Sequence, residues 1–284
     1  MTPEAYCEER GAPPGSSRYY FRLFLPEPQR SGVTALYALC HEVGSIADEV
    51  SEIGAARVKL GWWQEEIERL YAREPRHPVT RALQAHVEWN GLRRALFDQF
   101  LAAADMDIDP PGYADREALL VYARRHAAAQ RLESEICGGG DPAVDDFAES
   151  LGIALRLARV LQDVRADAAR GRVYLPQDRL EAHGVKPGEL VQAETPPHLR
   201  ALLQEEAAGV VEQIEHALQR LPADAQHAQQ SGLVAAAIER RLLAEIERDG
   251  YRLLEHRIDL TPLRKFWIAW RTVRRARRSA ARPD

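Results

Sequence analysis

Apolar residues along this chain recur at spacings of three and four, and strict alternation over five or more residues is hard to find, so the pattern predicts helices and no sheet. After Pro26 and Pro28, a helix over about 29–50 would carry Val33, Leu36, Tyr37, Cys40, Val43 and Ala47 on one side, a continuous stripe to bury. A second helix is expected over 53–71. The 75–78 region, with a proline at each end, breaks the chain, and helices follow near 79–89 and 92–104. The acidic stretch AADMDIDPPGY, closed by Pro110 and Pro111, reads as a loop. Asp115 is placed to cap a helix reaching Ile136, the glycines at 138–140 end it, and Asp141 with Pro142 opens the next, which extends to about Ala168. Later helices fall near 197–221, 224–249 and 262–279. With no internal repeat and no linker long enough to separate a second core, the 284 residues read as one all-α domain, a bundle of about ten helices.

Composition narrows the class. Apolar residues make up 45% and charged residues 29%, the balance of a globular protein. The longest uninterrupted apolar run, 233–238, falls far short of the ~20 residues that a spanning helix needs. The start, MTPEAYCEER, lacks the basic-then-apolar layout of a secretory signal, and Cys7, Cys40 and Cys137 are too far apart for a disulfide framework or a zinc site, so a reducing cytoplasm is expected. Charge is unevenly spread: from residue 271 onward six arginines face one aspartate, a surplus of five, so with a net charge of −5 the preceding 270 residues carry −10. Nucleic acid would want a basic face with interleaved aromatics, which the body does not offer. The arginines of the 271–282 tail suit peripheral contact with an anionic membrane at the inner face, each basic residue contributing about 1 kcal/mol near such a surface. They equally suit a solvated helix end with cations at its C-terminus.

Asp163 and Asp167 are four apart, which sets two carboxylates on one helix face about a turn from each other. Like charges so placed destabilise a helix unless a cation bridges them, and magnesium, which takes oxygen ligands and shares them with phosphate, is a natural bridge. A solvated charge face explains the pair as well. Trp62, Trp63, Trp89, Trp267 and Trp270 sit at helical spacings beside apolar neighbours and read as core or groove packing, and no cysteine has the His and acid partners of a nucleophile. Asp105, Asp107 and Asp109 lack the glycine and later glutamate of a calcium-binding loop.

The stretch GIALRLARVLQDVRADAARGRVYLP (residues 152–176) resembles the second aspartate-rich motif of the squalene and phytoene synthase family. SSRYYFRLFLP (16–26) resembles that family's N-terminal segment, and ALYALCHEVGSIADEV (35–50) the helix with its first aspartate-rich motif. LGWWQEEIERLY, HPVTRAL, DMDID and YRLLEHRIDLTPLRKFWIAW are most like bacterial presqualene diphosphate synthase-like members, so the similarity spans almost the whole chain. The resemblance implies an isoprenoid-synthase helical bundle around a central cavity, and head-to-head joining of two prenyl diphosphates, usually farnesyl diphosphate. In such chemistry magnesium neutralises the leaving diphosphate and an apolar tunnel shields an allylic cation. By the same resemblance Asp48, Asp163 and Asp167 would hold the metal. Tyr37 and Tyr122 would lie near the reacting carbons, and Ser16, Ser17 and Tyr19 beside diphosphate; His41, when protonated, could donate to diphosphate, and equally suits a packed, hydrogen-bonded side chain.

Several positions depart from the family's pattern. Gly44 and Ser45 stand where two aspartates are usual, and Arg159 where an asparagine ligates metal; a guanidinium has no acceptor to replace it. Arg156 stands for a glutamine, Gln162 for an arginine, His41 for an arginine, and AAAQR (127–131) for a small apolar stretch, so Arg131 must reach an acid or the tunnel there is polar. Glu239 aligns with a common tyrosine. Two readings stay open. In one, Arg156 and Arg159 grip diphosphate directly and condensation proceeds with fewer ions. In the other, Arg159 pairs with Asp163, four residues on, and the protein is a non-catalytic prenyl-ligand binder or an assembly-factor-like partner.

Overall fold

The computed structural model describes residues 1–50 and 52–280, and among them every regular element is helical. Two short helices that periodicity did not announce come first, α1 (Pro3–Gly11) and α2 (Ser17–Arg22), each capped by a hydroxyl: Thr2 accepts from the Ala5 N–H and Ser16 from the Tyr19 N–H. The expected stripe over 29–50 is carried by α3 (Gln29–Gly44) and α4 (Ile46–Glu49), which bury Val33, Leu36, Tyr37, Val43 and Ile46 and leave Cys40 half-buried. Next come α5 (Ile53–Tyr71), α6 (Pro78–Asn90) and α7 (Arg94–Ile108).

α7 corrects the loop expected over 103–113. Its inward face runs Phe97, Leu101, Ala104 and then Asp107, so the helical period continues through the acidic stretch and stops only at Asp109, ahead of Pro110. The single helix expected from Asp115 to Ile136 is two, α8 (Arg116–His126) and α9 (Ala128–Ile136); Asp115 caps the first, accepting from the Ala118 N–H. The next expected helix is likewise divided at Asp163 into α10 (Pro142–Gln162) and α11 (Val164–Ala169), and Asp141 accepts from the Ala143 N–H as its cap. The chain continues through α12 (Gln177–Ala182), α13 (Pro197–Arg220), α14 (Gln230–Arg248) and α15 (Pro262–Ala280), with 3-10 turns at Pro187–Val191 and Asp224–Gln226.

The helices bury two adjoining apolar clusters. One is built from α1, α3, α5, α6, α7 and α9, the other chiefly from α8, α10, α13, α14 and α15. α10 packs on α8, α9, α13 and α14, so it stands between the two. Its close approach to the α8–α9 junction needs Gly152: a Cβ there would lie 2.7 Å from both Ala127 Cα and Cβ. Of the tryptophans expected to pack, Trp63 is buried, whereas Trp62, Trp89 and Trp267 are exposed. Among the described residues no helix is long and apolar enough to cross a membrane.

Candidate functional site

Asp48 of α4 and Asp163 and Asp167 at the α10–α11 bend lie in one neighbourhood, with Asp163 and Asp48 both acting on the Asp167 carboxyl and Arg172 reaching Asp48. Asp163, at the bend between α10 and α11, is only 12% exposed at its side chain and is held from two sides: Arg159 Nε pairs with Oδ2, and Arg257 Nη1 lies 3.2 Å from Oδ1. Arg159 keeps 55% of its side chain exposed. Burial first, then the guanidiniums of Arg257, Arg18 and Arg156, pull Arg159 below the ordinary arginine range, with Asp163 acting the other way. Asp48 pairs with Arg172, with Arg170 at 3.8 Å, and the Arg172 backbone N–H donates to the Asp167 carbonyl at 2.9 Å. Arg172 thus ties the turn that follows the second motif to Asp48 of the first. The Asp167 carboxylate has no ion-pair partner among the described residues; burial, then the charge of Asp163, push it up to about 6 against the opposing pull of Arg172 and Arg156.

A second polar cluster lies beneath. Asp107 accepts from Tyr122 Oη at 2.5 Å, Tyr174 Oη at 2.8 Å and Arg156 Nη2 at 2.8 Å, and His126 Nε2 lies 3.1 Å from its other oxygen. Burial opposes its charge, but Arg156, His126 and Tyr174 prevail and hold it down at about 2. The Arg156 guanidinium also lies 4.9 Å from the Tyr122 ring centroid and 5.7 Å from that of Tyr174. Tyr122, expected near reacting carbons, is here fully buried as a donor to a carboxylate. Tyr37 is the same kind of donor, giving its hydroxyl hydrogen to Glu133 Oε2 at 2.9 Å while the Arg18 guanidinium donates to the Tyr37 carbonyl at 3.2 Å. Burial pushes Glu133 up, favouring its neutral acid, and Glu239, bonded by Gln162 across α10 and α14, rises to about 7 for the same first cause.

The remaining expected residues fall where the segments were placed but with ordinary roles. Ser16 is a helix cap; Ser17 and Tyr19 are half-exposed on α2, and Tyr19 lies under the Arg22 guanidinium. His41 is half-exposed; its carbonyl accepts from the Ser45 N–H at 2.9 Å, and its ring makes no hydrogen bond or ion pair among the described residues. Arg131 reaches acids, bonding Asp145 at 2.9 and 2.7 Å with Glu149 at 3.2 Å, so the polarity of that stretch comes instead from Gln130 and Glu133. Sequence reasoning missed Glu133; Asp107 was weighed only as a calcium-loop acid and set aside, and Arg18, Arg172, Tyr174 and Arg257 stood inside matched runs without being given a role.

The donors present do not fit a magnesium cluster. Asp163 and Asp48 are each committed to guanidinium groups, and no group of three or more His, Cys, Asp or Glu that could hold an ion occurs among the described residues. The guanidiniums gathered here, Arg156, Arg159, Arg172 and Arg257, are each paired with an acid, Asp107, Asp163, Asp48 and Asp163 in turn.

Comparison with known proteins agrees with the motifs. The family model described as Squalene/phytoene synthase matches residues 12–264, and the chain belongs to that family. It is 30% identical over 264 residues to a phytoene synthase of Mycobacterium tuberculosis, covering 88% of this chain and 84% of that one. Over 186 residues it is 33% identical to a presqualene diphosphate synthase of Rhodopseudomonas palustris, covering 65% and 66%. Among solved structures, a dehydrosqualene synthase in complex with ligand superposes with a TM-score of 0.85 at 22% identity over 97% of each chain, which establishes the shared fold.

Proposed function

We propose that this chain keeps the family's hollow as a prenyl-diphosphate binding site and does not carry out magnesium-assisted condensation. The observation that carries this reading is Asp163 held between Arg159 and Arg257. A carboxylate so committed is a poor ion ligand. Guanidiniums already in place bind the diphosphate as well before ionisation as during it, and such uniform binding gives affinity rather than rate. The wall that would have to exclude polar groups from an allylic cation carries Glu133 and Gln130 instead. The prenyl diphosphate class itself comes from the family, whose relatives are named as phytoene and presqualene diphosphate synthases.

The test is product formation. Purified chain incubated with farnesyl diphosphate, magnesium and reduced nicotinamide, then extracted for mass analysis, is expected to yield neither presqualene diphosphate nor hydrocarbon; either product overturns the reading. Within the same proposal, the protein is cytoplasmic and its C-terminal arginines meet an anionic membrane at the inner face. Of the 271–282 segment, residues 281 and 282 lie outside the described residues.

A further inference from the structure

α15 buries one stripe, Lys265, Ala269, Val273 and Ala276, against the bundle. Its opposite face has two halves. On the first turns stand Leu263, Phe266 and Trp267, exposed by 66%, 38% and 51%, three large apolar side chains left to solvent within five residues. On the following turns, at 100° per residue, Arg271, Arg274, Arg277 and Arg278 continue the same face, with no ion-pair partner among the described residues. Trp270 joins the halves: its ring lies 5.3 Å from that of Trp267, edge to face, and the Arg274 guanidinium lies 5.2 Å from its centroid. The charge excess and the apolar ridge thus lie side by side on one surface of one helix.

We infer that this face is the docking surface for an anionic phospholipid bilayer, with Leu263, Phe266 and Trp267 entering the interface and the arginines taking lipid phosphates. The inference rests on the peripheral-membrane reading above and names its contact. Tryptophan favours the membrane–water boundary, and an apolar insertion joined to a basic patch supplies the two signals that stable anchoring needs. A second copy meeting this face in parallel would bring the two arginine rows together, and an antiparallel one would set each row against an apolar ridge that offers it no counter-charge. The ridge also continues toward α2, where the Phe24 ring, just past that helix, lies 5.9 Å from Phe266. Docking therefore sets α2, whose Arg18 touches Tyr37 in the hollow, at the lipid surface, beside the phase in which prenyl chains dissolve.

The full chain is to be sedimented with vesicles of phosphatidylcholine and of phosphatidylcholine mixed with phosphatidylglycerol, the mixed vesicles also carrying brominated acyl chains to quench inserted tryptophan. Binding to the anionic vesicles alone is expected, with quenching that falls in Trp267→Phe, and the Leu263→Ser/Trp267→Ser double variant should bind roughly tenfold or more weakly. Arg274→Glu/Arg278→Glu should also release the protein. Loss in the arginine variant with full binding in the serine variant would leave the charged-tail reading standing and overturn the inserting ridge. Absence of binding by the unmodified chain overturns both. A concentration-dependent dimer abolished by the serine variant would assign the ridge to a second copy and overturn the inference. All variants change exposed positions, and circular dichroism checks their folding.

Discussion

Four residues before Asp163 a guanidinium sits on the carboxylate that the family's chemistry would give to an ion, and this contact was legible from spacing alone, because residues four apart on a helix are neighbours. The partners that complete the site were not. Arg257 and Arg172 come from 94 and 124 residues away from the acids they hold, and no local pattern announces such pairings. Asp167 is the residue whose state depends most on them. Its carboxyl is raised to about 6 from the ordinary 3.8, so the folded chain binds a proton that the unfolded chain releases between those values. Stability should fall as pH rises through that window and stay lowered above it. Asp167→Asn is expected to be more stable than the unmodified chain by about 1–2 kcal/mol at neutral pH, the full shift being discounted for partial exposure, with the gap closing below about pH 4. Urea unfolding across pH checks this; a variant less stable at neutral pH would mean that Arg172 and Arg156 outweigh burial.

Among the elements, long amphipathic helices were readable and their interruptions were not. α10 was marked by its Asp-Pro start, while the bends at Asp163 and Ala127 leave no proline or glycine in the sequence. α7 was cut short in the reading because acidity and two prolines resemble a loop, whereas its buried side simply passes from Ala104 to Asp107 and exchanges an apolar contact for hydrogen bonds. Gly152 tests the packing at the centre. Alanine in a helix interior is ordinarily better than glycine by up to about 1 kcal/mol, but here its methyl would collide with Ala127 Cα on the neighbouring backbone. Gly152→Ala is therefore expected to lose about 1–3 kcal/mol in urea unfolding. A gain would show that α8 and α9 move aside freely.

At the scale of the whole molecule the family fold is retained, the acids of both aspartate motifs are paired with arginines, Asp48 with Arg172 and Asp163 with Arg159 and Arg257, and the C-terminal helix gathers a separate basic surface. The fold followed from periodicity and motif runs, and the arginine substitution at 159 already pointed to the altered hollow. The most direct test of the account is a calorimetric titration of the full chain with a non-reactive farnesyl diphosphate analogue, with magnesium and with chelator. The same affinity is expected in both, falling about tenfold in Arg159→Ala, the scale of one charge-assisted contact. Binding that requires magnesium and is indifferent to Arg159 would contradict it.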